Sequence, residues 1–167
     1  MDRLFTHRSG AQLWQGDLTD VTQLLRQPDG RIHVIGLFAQ EYQPNDPSGS
    51  YELIKMGYDD NPQAEKDELT QTAVRADKAS DLFSDRLRDG KSCLSSCAMG
   101  LNRSSLVSAL TLMKVAGMGP QQAVERVQRL RAPQGGLTPL CNPRFVQLIH
   151  QLEHLVGNKS AWTKWRR

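Results

Sequence analysis

Residues 97–104, Cys97-Ala98-Met99-Gly100-Leu101-Asn102-Arg103-Ser104, separate a cysteine from an arginine by five positions, with a glycine in the middle and a serine directly after. At average residue frequencies, a Cys-x-x-Gly-x-x-Arg-[Ser/Thr] string arises by chance in roughly one chain of this length per thousand. Before it runs a short, weakly apolar stretch, residues 92–97, that reads as a strand from its position. After it comes a helical pattern from Ser104 to Val115, with Leu106, Val107, Leu110 and Met113 inward and Gly117 at the end. A loop between a strand and a helix N-terminus aims several backbone N–H groups inward and adds the positive end of the helix dipole. The chain is therefore constrained to an α/β layout with an anion site at one strand end.

The remaining pattern agrees. Residues 32–38 form a nearly continuous apolar run after the turn Pro28-Asp29-Gly30, as expected of a strand covered on both faces. A polar loop at 40–50 leads to a second extended candidate, 51–56, and then to Tyr58-Asp59-Asp60-Asn61-Pro62. Helices are expected over about 63–88, with Leu69, Val74, Leu82, Phe83 and Leu87 inward, from Pro120 to Leu130, and from Asn142-Pro143 to about Val156. Strands alternating with helices predict a single three-layer sandwich with a central, mostly parallel sheet flanked by helices.

A length of 167 residues suits one domain with a true core, and 38% hydrophobic with 23% charged residues describes an ordinary globular chain. There is no apolar run long enough for a membrane span, no secretory h-region at the start, and an odd count of three cysteines. A cytoplasmic protein with reduced thiols is the expectation. The net charge of +3 is uneven: residues 158–167 hold Lys159, Lys164, Arg166 and Arg167 and no acid, leaving seventeen basic against eighteen acidic residues elsewhere. The expected organisation is a catalytic domain over 1–157 and a short basic tail over 158–167 that includes Trp162 and Trp165. A near-neutral body argues against bulk binding of nucleic acid.

The spacing around Cys97 has a chemical logic. Gly100 lets the backbone curl, Arg103 offers a planar fork matched to two phosphate oxygens, and the same positive field favours a thiolate at Cys97. The loop resembles the active-site signature of the cysteine-dependent protein tyrosine phosphatases, in the compact dual-specificity branch, and Gly-Leu-Asn-Arg-Ser-Ser-Leu-Val resembles its bacterial and phage members. Leu13-Trp14-Gln15-Gly16, residues 39–44 and Asn142-Pro143-Arg144-Phe145 fall in family order, so the likeness covers roughly 11–155.

That resemblance implies a phosphomonoester hydrolase working through a phosphocysteine at Cys97, with no metal or other cofactor. Ala98, Met99, Gly100, Leu101, Asn102 and Arg103 would bind the phosphate. A general acid would lie upstream, at Asp60 or, second, Asp59. Ser104 would stabilise the departing thiolate, and Asn102 would hold the loop or contact the acid. Serine at position 96 departs from the histidine that the family places before its cysteine, which implies slower turnover or a higher pH optimum.

The expected partner is a phosphorylated protein or peptide, since the loop interior lacks the lysine of loops tuned to polyphosphorylated inositol lipids. A phosphate-binding module without turnover and an RNA 5′-triphosphatase are the alternatives. Elsewhere, Cys93 and Cys141 read as structural thiols, His150 and His154 as a polar helix face, and Arg126, Arg129 and Arg131 as a solvated arginine run.

Overall fold

In the computed structural model, which describes residues 1–154, the chain runs β1 (Asp2–Thr6), β2 (Gln12–Gly16), α1 (Leu18–Arg26), β3 (Val34–Ala39), β4 (Glu52–Tyr58), α2 (Lys66–Arg88), β5 (Cys93–Ser96), α3 (Arg103–Ala116), α4 (Pro120–Leu130) and α5 (Pro143–Gln151). The sheet order is β1-β2-β5-β3-β4, with β1 antiparallel to β2 and every other pair parallel. This is the expected α/β sandwich. The basic tail, with Trp162 and Trp165, lies outside the described residues.

Side-chain alternation along the strands feeds two cores. Leu13, Val34, Ile54 and Cys93 join the larger cluster with residues of α2, α3, α4 and α5. Trp14, Ile35, Leu53 and Leu94 face the other way, against Val21 and Leu24 of α1. Helix α3 is buried from Arg103 through Met113, because the sheet covers one side and α2, α4 and α5 the rest. A helix enclosed this completely has little freedom to shift, so its N-terminus is a fixed point.

Three elements were not legible in advance. β1 and β2 are short and half polar, and α1 is held by a capping box in which the Asp17 carboxylate accepts from the N–H groups of Thr19 and Asp20 while Asp20 reaches back to the Asp17 amide. The helix expected from residue 63 begins at Lys66, since Asn61 and Ala64 first form a turn. The last helix stops short of Val156: after Gln151 the chain tightens into a 3-10 turn, Leu152–His154, whose first N–H reaches the carbonyls of Leu148 and His150. Among the described residues no helix is long and apolar enough to cross a membrane.

Candidate active site

β5 is the central strand, flanked by β2 and β3, and residues 97–102 form the loop that joins its C-terminal end to α3. In open parallel sheets this crevice is where ligands bind. Cys97 is buried at the end of the strand, its Sγ 3.2 Å from the hydroxyl of Ser104 in the first turn of α3. Ser95 and Ser96 anchor the strand: the Ser95 hydroxyl donates to the Ser104 carbonyl (2.8 Å), and Ser96 donates across to the Gly36 carbonyl of β3 (2.6 Å). The serine at 96 is thus an interstrand tie.

The loop's shape is imposed from outside. Four successive carbonyls accept from surrounding groups: Ala98 from the Leu18 N–H (3.5 Å), Met99 from Arg131 (3.3 Å), Gly100 from Gln15 (2.8 Å) and Arg131 (3.2 Å), and Leu101 from the Leu140 N–H (2.8 Å). With the carbonyls turned outward, the amides of Ala98–Asn102 have no acceptor among the described residues, which is the geometry of an anion nest at a helix N-terminus. Gly100 is obligatory: its φ is +66°, and a Cβ there would lie 2.5 Å from the Gly16 carbonyl oxygen.

Arg103 folds back beside this nest. Its Nη1 and Nη2 donate to the two carboxylate oxygens of Glu41 (2.9 and 2.8 Å), Nη1 also reaches the Tyr58 carbonyl, and the buried Nε has no acceptor. Burial disfavours its charge, but Glu41 and a thiolate at Cys97 outweigh that and raise its pKa. The same hydrogen bonds hold Glu41 down at about 2. The Tyr58 hydroxyl donates to the Arg103 carbonyl (2.5 Å), and burial first, then Cys97, keeps that phenol well above its ordinary range.

Of the two acidic candidates, the fold brings Asp60 to the loop. Its carboxylate accepts from the side-chain amides of Asn102 (2.9 Å) and Asn142 (2.7 Å), while Asp59 is exposed and accepts from the Asp60 backbone N–H. Asn102 links the two sides, its Oδ1 accepting from the Asn142 N–H (3.1 Å). Asn142 also caps α5 through the Arg144 N–H. Exposed Cys141 touches Asn102, whereas Cys93 is a core thiol that burial pushes up to about 12.

Four contributors to the site carry no local sequence signal of their role. Gln15 and Glu41 sit in segments that follow family order, with nothing in their local pattern to mark them. Asn142 stands in another such segment and at an expected helix start, likewise without an expected role at the site. Arg131, expected to be solvated with Arg126 and Arg129, is instead 4% exposed, wedged under the loop and paired with Asp2 (2.8 Å) and Asp17 (3.4 Å); Arg129 is exposed and Arg126 half-buried.

No family model matches the sequence, and no curated protein matches it. Solved structures do. Human DUSP28 superposes with a TM-score of 0.71 at 19% identity, covering 96% of this chain and 100% of that one. PTPMT1 gives 0.65 at 16% identity, covering 95% and 99%. The human tyrosine phosphatase-like serine/threonine/tyrosine-interacting protein gives 0.62 at 16% identity, covering 93% and 96%. Matched over nearly its whole length at this level of identity, the chain has the fold of the compact dual-specificity phosphatases.

Proposed function

We propose that the protein is a cysteine-dependent phosphomonoesterase acting on phosphorylated protein. The loop amides and Arg103 bind the phosphoryl oxygens, and Cys97 Sγ attacks phosphorus. As the S–P bond forms and the ester P–O bond breaks, Asp60 delivers its proton to the leaving oxygen. Water then attacks the phosphocysteine, Asp60 takes a proton from it, and the S–P bond breaks. The thiolate returns beside the Ser104 hydroxyl, and inorganic phosphate leaves.

One observation carries the reading: Arg103 holds a buried Nε donor without an acceptor beside a run of unpaired loop amides, all grouped around a cysteine. Buried donors are rarely left unpaired unless a ligand completes them. The test is steady-state hydrolysis of p-nitrophenyl phosphate in EDTA from about pH 5 to 8. Turnover that survives the chelator and disappears in Cys97→Ser is the expected result. Turnover untouched by Cys97→Ser would refute the mechanism.

A further inference from the structure

Met99 and Leu137 are the only two large hydrophobic side chains that are strongly exposed among the described residues, at 43% and 47%. They belong to neighbouring pieces of backbone. Met99 is in the phosphate loop; Leu137 closes the turn Gln134–Leu137, whose ends exchange two hydrogen bonds of 3.0 Å. That turn lies against the loop, since a Cβ on Gly135 would stand 3.7 Å from Met99 Cε. It is fixed there by Gln134, which donates to the same Asp17 carboxylate that pairs with Arg131.

The turn and the stretch after it bring no charge of their own. The twelve residues from Ala132 to Pro143 carry no charge in a chain that is 23% charged. Both arginines that touch the loop are engaged, Arg103 with Glu41 and Arg131 with Asp2 and Asp17. The exposed acids near the loop are Glu41, which pairs with Arg103, and Asp59, next to Asp60. Neither of those two arginines is a free cation for a second phosphate or an acidic neighbour on the substrate, whereas an apolar neighbour meets apolar surface next to the phosphate seat.

Resting on the phosphatase reading, we propose that Met99 and Leu137 form an apolar sill that takes the non-polar side chain adjoining the phosphorylated residue of a peptide substrate. Two side chains, one on the loop and one on the turn, offer too little surface for paired acyl chains, and so favour a peptide over a phospholipid.

The test uses two phosphotyrosyl peptides identical except for leucine or serine at the flanking positions. They are titrated into the Cys97→Ser protein with and without Leu137→Ser. In parallel, p-nitrophenyl phosphate and a short-chain phosphatidate are turned over by wild type and Leu137→Ser. The leucine peptide is expected to bind about fivefold to tenfold tighter, the preference shrinking to within about twofold in Leu137→Ser while p-nitrophenyl phosphate turnover is unchanged. An equal preference in both proteins, or none in either, overturns the sill. So does phosphatidate turnover that exceeds peptide turnover and falls in Leu137→Ser. Inactivity toward p-nitrophenyl phosphate with the binding preference intact would remove the hydrolase reading and leave the sill; failure to bind either peptide removes both.

Discussion

At the scale of single residues, the two adjacent acids separate cleanly. Asp60 is held over the loop by two asparagine amides, and Asp59 faces solvent. Asp60→Asn is expected to lower kcat by about 10²- to 10³-fold and flatten one limb of the pH profile, while Asp59→Asn stays within about threefold of wild type. Glu41 bears on Arg103 in a pH-dependent way. Its folded pKa of about 2 lies below the ordinary glutamate value of 4.5, so its contribution to stability is present above about 4.5 and is lost as pH falls toward 2. Acid unfolding followed by circular dichroism is expected to show a shallower pH dependence over that window in Glu41→Gln than in wild type. The half-exposed carboxylate keeps the difference modest. Thiol chemistry separates the cysteines too: brief iodoacetamide treatment of native protein near neutral pH, read by peptide mass spectrometry, is expected to alkylate exposed Cys141 and spare Cys93, which is buried and held at about 12.

Among elements, the phosphate loop depends on what lies behind it. Arg131, just past α4, bonds two loop carbonyls and bridges to Asp2 of β1 and Asp17 before α1. Removing it leaves partly buried carboxylates unpaired, so Arg131→Ala is expected to cost about 2–3 kcal/mol and to lower Tm by roughly 4–12 °C in a thermal melt. Arg131→Lys keeps the charge but not the fork, and is expected to restore most of the stability while vanadate binding stays weakened.

The elements differed in how readily the sequence disclosed them. β3 is an unbroken apolar run because it is covered on both faces, and α3 sets Leu106, Val107, Leu110 and Met113 at helical spacing, so both leave a plain pattern. β2 is nearly as deep, yet it reads Gln-Leu-Trp-Gln-Gly, because Gln15 spends its amide on Gly100 and Ser105. Cys97, Arg103 and Ser104 announced themselves through spacing within one loop. Glu41, Asn142 and Arg131 did not, since each acts across the chain, and contacts that join distant segments leave no local period.

For the molecule as a whole, the bonds that turn the loop carbonyls outward come from four places: Gln15 in β2, Leu18 at the start of α1, Arg131 after α4 and Leu140 before α5. The anion seat is therefore assembled by the entire fold, and no fragment of the chain contains it. An oxyanion bound there links to global unfolding, and by mass action a concentration one hundred times its Kd adds about 2.7 kcal/mol to stability. In amide hydrogen exchange, that protection is expected to spread from the loop into α1, α4 and β1, far beyond the atoms the anion touches. Occupancy of one small nest would slow the breathing of the whole sandwich.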